Sequence, residues 1–113
     1  MNMPAFFLHR EVLDLYHSKL KSKELNKLFG AIMSLESEEE CYMFFEDLCT
    51  VAELTAISQR YKVAQMLKDK TTCHAIAEKT GASTATISRV NRCLNYGTGG
   101  YNKILERNEE QGE

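Results

Sequence analysis

The chain has 113 residues and a mass of 12.9 kDa, the size of one ordinary domain. Its 43% apolar and 27% charged residues exclude a disordered or fibrous polypeptide, and no apolar run approaches the roughly 18 residues of a membrane span. The net charge of −2 is unevenly spread: residues 60–107 hold nine Lys/Arg against three acids, a net +6, while the remainder carries −8.

At the amino terminus, Met1 to Arg10 offer too short an apolar centre and no leading positive charge for a signal peptide, so a cytoplasmic location is expected. Pro4 is the one proline, and nothing beyond it forbids helix. Apolar residues recur at three- and four-residue steps in Leu25-Leu28-Phe29-Ile32-Met33, in Cys41-Phe44-Phe45-Leu48 and in Ile57-Tyr61-Ala64-Leu67. The spacing predicts helices over residues 9–20, 22–35, 38–49, 51–69, 72–80, 84–95 and 101–108. Sustained two-residue alternation is absent, so the fold class is all-α, a small multi-helix domain spanning 1–113.

Start and stop signals sharpen the boundaries. Ser37 with Glu40, and Thr50 with Glu53, both fit the capping box, in which hydroxyl and carboxylate reciprocally satisfy free N–H groups. Thr71 or Thr72 can cap a short helix closed by Gly81, and Ser83 can cap the next, which should stop near Asn95-Tyr96-Gly97. Gly97-Thr98-Gly99-Gly100 reads as a turn before a last helix, with a frayed polar tail from Asn108.

The first half is too apolar for one small core. Leu13, Leu15, Tyr16, Leu20, Leu25, Leu28, Phe29, Ile32, Met33 and Leu35 crowd onto two predicted helices. Phe44 and Phe45, about 100° apart on a helix, cannot easily face one neighbour. A two-fold partner would cover the excess, so residues 9–50 are expected to dimerise.

Residues 73–92, Cys-His-Ala-Ile-Ala-Glu-Lys-Thr-Gly-Ala-Ser-Thr-Ala-Thr-Ile-Ser-Arg-Val-Asn-Arg, have the spacing of a helix-turn-helix within a 51–95 DNA-binding region. Ile76 and Ala77 form the inner face of its first helix, and Gly81 makes the turn. Thr80 departs from the pattern, because an apolar residue is commoner just before the glycine. Ile87, Val90 and Leu94 make a buried stripe on the second helix. Opposite them stand Ala85, Ser88 and Arg92, edged by Thr84 and Arg89, without an acid. Small side chains permit close approach to a major groove, hydroxyls can bond base edges, and a methyl can touch thymine. The candidate DNA-binding set is Thr72, His74, Lys79, Ser83, Thr84, Ala85, Ser88, Arg89 and Arg92. Thr86 and Cys93 project sideways, toward either a neighbouring helix or a ligand.

Other chemistries find little support. Cys41, Cys49, Cys73 and Cys93 contain no Cys-x-x-Cys pair, and Cys41 and Cys49 read as small core residues. Cys73-His74 lacks a second half with metal-ligand spacing, so no metal is expected. His9, His17 and His74 are scattered, no nucleophile stands beside a base, and the glycine-rich turn lacks a Lys directly after it. The chain is not read as an enzyme.

The stretch from Leu48-Cys49-Thr50 through Arg60 to Gly81-Ala82-Ser83-Thr84-Ala85-Thr86-Ile87-Ser88-Arg89 resembles the tryptophan-repressor superfamily. The Ser88-to-Gly97 and Gly99-Gly100-Tyr101 segments are most similar to its YerC/YecD-type branch. The resemblance covers about residues 22–107. It implies an intertwined all-helical homodimer that represses transcription by binding double-stranded DNA at a palindromic operator, with two recognition helices about 34 Å apart. It also implies a corepressor pocket, with Arg60 and Arg89 matching two arginines that sandwich the ligand and Thr50 and Thr86 matching further pocket residues. Val90 stands where the tryptophan repressor has a glycine, and Cys93 replaces a ligand-binding serine. A valine there should clash with a flat ring, and the lost hydroxyl removes about 1 kcal/mol of orienting hydrogen bond. Tryptophan is therefore not the expected ligand. Whether Thr50, Arg60, Thr86, Arg89, Val90 and Cys93 hold another effector, or the arginines serve ion pairs and phosphates, stays open. The functional expectation is a repressor of the helix-turn-helix class; the alternative is a helical adaptor using the same hairpin on a protein, which salt dependence distinguishes.

Overall fold

The computed structural model describes residues 16–110. Within them the chain forms six helices and no strand: α1 (Lys23–Met33), α2 (Glu38–Leu48), α3 (Val51–Lys68), α4 (Cys73–Thr80), α5 (Thr84–Tyr96) and α6 (Gly100–Glu110). The predicted boundaries agree to within about two residues for all six.

The predicted helix over 9–20 is corrected where it can be followed. Its first seven residues lie outside the described residues, and residues 16–20 are not helical. Ser18 is the cause: its hydroxyl accepts from the Leu20 N–H at 3.0 Å and its carbonyl from the Lys21 N–H at 3.4 Å. Such short side-chain bonds compete with the helical ladder. Of the tail expected to fray from Asn108, residues 108–110 continue α6, and residues 111–113 lie outside the described residues.

The described residues fall into two compact units, divided between Cys41 and Tyr42 inside α2. In the first, Ser22 caps α1 by accepting from the Leu25 N–H. Leu25, Leu28 and Ile32 are half-buried, Phe29 and Met33 are exposed, and α1 has no fully buried residue. At the start of α2, the Ser37 hydroxyl accepts from the Glu40 N–H, as the capping box requires. The Glu40 carboxylate, however, takes the N–H of Glu36 rather than that of Ser37. Three glutamates in the first turn suit the positive end of the helix dipole. Cys41 is exposed on α2, which has no fully buried residue, and Cys49, just past the end of α2, is half-buried, so neither takes the expected place in the core.

In the second unit, α3 opens on a complete capping box. Thr50 Oγ1 accepts from the Glu53 N–H, and the Glu53 carboxylate accepts from the Thr50 N–H at 2.8 Å. These bonds from Thr50 hold the Glu53 carboxyl below its ordinary value. The helix start therefore loses this support as pH falls through that lowered value. At the other end, Lys70 adopts φ +63°, while the N–H groups of Lys70 and Thr71 return to the Leu67 and Met66 carbonyls. This is a Schellman cap built on a lysine.

The core joins Val63, Ala64 and Met66 of α3 to Ile76 of α4, Ala82 of the turn, Ile87 and Val90 of α5, and Leu105 of α6. Tyr61, Leu67, Ala77 and Leu94 pack around it. The expected α3 stripe is partly corrected: Ile57 is 47% exposed, whereas Val63 and Met66, outside that pattern, are buried. The helix packs against α4, α5 and α6 at once, so its buried surface is broader than one 3.6-period stripe. No polar or charged residue is buried among the described residues.

Gly81 closes α4 at φ +73°, a left-handed conformation. A Cβ built there meets nothing within 4 Å, so its cost is conformational rather than steric. Gly81→Val should lower stability by about 2 kcal/mol, because a β-branched side chain strongly disfavours that region. Thermal unfolding should show a fall of about 10 °C, and Gly81→Asn a smaller one. Gly97 answers a different need. A Cβ there would lie 2.5 Å from the Cys93 carbonyl oxygen, so the end of α5 closes only over a bare α-carbon.

Candidate nucleic-acid interface

Helices α4 and α5 begin alike. Thr72 Oγ1 accepts from the Ala75 N–H, and Ser83 Oγ accepts from the Thr86 N–H at 3.1 Å. Both are N-caps with extended backbone, because a short hydroxyl there satisfies a free first-turn donor. Ser83 also donates to Thr86 Oγ1 at 3.1 Å, so its hydroxyl proton is spent inside the chain. Its place in the candidate set is thus at the foot of α5, where it fixes the first turn.

The buried side of α5 rests on Ile87 and Val90, 3% and 1% exposed. That anchorage turns Thr84, Ala85, Ser88, Arg89 and Arg92 to solvent, all exposed. The helix contains no acid. Lys79, in the last turn of α4, is also exposed. Lys79, Arg89 and Arg92 have no ion-pair partner among the described residues; the pair formed on this hairpin is His74 Nε2 with Glu78 Oε2 at 3.6 Å. Both members are strongly exposed, so the pair contributes little stability and places an acid beside His74.

The same face holds residues the candidate set omitted. Asn91 and Asn95 are exposed and lie on the Thr84–Ser88 side of the wheel. The Asn95 amide donates to the Asn91 carbonyl at 3.0 Å, leaving its oxygen to accept. Tyr96 ends α5 with 86% of its surface exposed. The 100° wheel contained the signal for the asparagines; Tyr96 read only as a helix terminus.

The candidate effector residues have mixed surroundings. Thr86 and Cys93 are half-buried on one flank of α5, bordered by exposed Arg89. Arg60 is half-buried on α3, which packs against α5. Thr50 is exposed and engaged as the α3 cap. Val90 lies within the core. A shallow groove between α3 and α6, lined by Tyr61, Gln65, Lys68, Leu105 and Asn108, shares no residue with this set. There the Asn108 amide donates to the Tyr61 hydroxyl at 3.2 Å. Among the described residues, no helix is long and apolar enough to cross a membrane.

Comparison with known proteins gives concordant results. The profile of the Trp repressor protein family matches residues 23–109. The uncharacterised protein YerC of Bacillus subtilis (strain 168) is 55% identical over 92 residues, covering 81% of this chain and 88% of YerC. A crystal structure of a candidate Trp repressor from Staphylococcus aureus superposes with a TM-score of 0.78 at 52% identity, covering 80% of this chain and 91% of that one. A TrpR-like protein from Eubacterium eligens ATCC 27750 gives a TM-score of 0.77 at 57% identity, covering 79% and 92%.

Proposed function

The chain belongs to the Trp repressor protein family, which implies a DNA-binding regulator, and on that premise we propose that it is a cytoplasmic repressor binding a palindromic operator as a homodimer. The observation that carries this reading is the acid-free, exposed face of α5, seated on Ile87 and Val90. Thr84, Ala85 and Ser88 lie in its first two turns, where base edges are met, while Arg89 edges the face and Arg92 continues it one turn further on, where phosphates are met. The dimer is supported by α1 and α2, which have no fully buried residue and leave Phe29, Met33, Tyr42 and Met43 exposed. Apolar exposure of that extent favours a self-complementary partner. Tryptophan is not the proposed effector, because Val90 fills core volume with its methyls, and a methyl brought against a flat ring is poorly tolerated.

Selection of binding sites from random duplexes tests the reading. The expected result is a two-fold symmetric sequence whose half-sites lie about 10 base pairs apart. No enrichment, or an affinity indifferent to salt, would favour a protein partner for the hairpin. Within the selected site, Thr84→Ala and Ser88→Ala should each cost about fivefold at a particular base pair while random-duplex affinity stays level. Arg92→Ala should instead weaken every duplex alike, as titration against single-base variants would reveal.

A further inference from the structure

Three hydrogen bonds converge on Thr80, the residue before the hinge glycine. Its hydroxyl donates to the Ile76 carbonyl at 2.7 Å and accepts from the Ala82 N–H at 3.1 Å. Its own carbonyl accepts from Gln59 Nε2 of α3 at 3.0 Å. The Thr80 carbonyl lies in the last turn of α4, where the helix supplies no donor. Gln59 supplies one from 21 residues earlier in the chain. The polar residue that broke the expected helix-turn-helix pattern is thus the hub that ties the turn internally and to α3.

We infer that Gln59 is a positioning residue for DNA recognition, fixing the α4–α5 turn on α3 and so the pose in which α5 meets the groove; this rests on the DNA-binding reading above. Gln59 is half-buried on α3, outside the face proposed to meet DNA. Only a donor of its length serves: a glutamate would set a carboxylate against a carbonyl oxygen, and a methionine keeps the shape without the N–H. Base-edge bonds hold only between about 2.7 and 3.2 Å. Phosphate attraction falls off over about 10 Å at moderate salt. A slackened turn therefore costs sequence reading long before it costs general attraction to the duplex.

Gln59→Met and Gln59→Glu in the full chain test this, each assayed against the selected duplex and a random duplex well below the unfolding temperature. Both variants should lose about five- to tenfold in selected-site affinity. Random-duplex affinity should be unchanged for Gln59→Met. Amide hydrogen exchange at residues 80–83 of the free protein should accelerate in both variants. A fall in thermal midpoint with an unchanged ratio of selected to random affinity would overturn the inference, leaving Gln59 merely structural. So would unaltered exchange at residues 80–83. Should the parent chain bind no duplex at all, the functional reading fails by itself, and the exchange measurement still decides whether Gln59 holds the turn.

Discussion

Replacing Lys79, Arg89 and Arg92 together by alanine is expected to reduce affinity for every duplex by about two to three orders of magnitude at moderate salt. All three side chains are exposed on one hairpin and have no ion-pair partner among the described residues. Their charge is therefore free for phosphates, despite an overall net charge of −2. In a two-fold pair they would neutralise up to six phosphates, and each releases nearly one counterion. The slope of log affinity against log salt should accordingly flatten by about 5. The thermal midpoint should barely move, because exposed substitutions away from caps and core change stability by about 0.5 kcal/mol or less. Fluorescence anisotropy across a salt series reads both quantities. An unchanged slope would mean that another surface meets the backbone.

Ile76→Ala should produce the largest loss of stability among single substitutions in the hairpin. Ile76 is fully buried and, with Val63 and Val90, among the largest side chains that are so. It stands where α4 faces the core shared by α3 and α5. Truncation removes three carbons and leaves a cavity among rigidly placed neighbours, costing about 3 to 4 kcal/mol. Against a total stability of about 5 to 15 kcal/mol, that is a large share. Differential scanning calorimetry should show a fall of about 15 to 25 °C. DNA binding at low temperature should persist, since no groove-facing side chain is altered. A fall under about 5 °C would show that the hairpin carries little of the core.

Local chemistry made much of this fold legible in the sequence. Thr50 with Glu53, Thr72, Gly81 and Ser83 each carry their function within a few residues, and each performs the expected task. The buried face of α5 was equally readable, because one stripe packs on one core. Long-range geometry was less accessible. The α3 helix touches three neighbours, so Val63 and Met66 fell outside any single stripe. Ser18 diverted its segment into a turn through hydrogen bonds that apolar spacing does not register. Phe44 and Phe45, although adjacent, are both half-buried and meet edge to face at 5.6 Å. The link from Gln59 to Thr80 spans 21 residues, and no local pattern announces a side-chain amide paired with a distant carbonyl. On α5, the wheel identified the outward face but not the engagement of the Ser83 hydroxyl with Thr86.

The sharpest check is a salt titration of the purified chain against pooled chromosomal duplex fragments, from about 20 to 200 mM monovalent salt. Saturable binding should appear at the lower end and weaken about 10⁵-fold across the range, as a slope of about 5 over one decade of salt requires, with the retained fragments sharing a two-fold symmetric sequence. No binding at about 20 mM, or an affinity that ignores salt, would contradict a recognition helix laid into DNA.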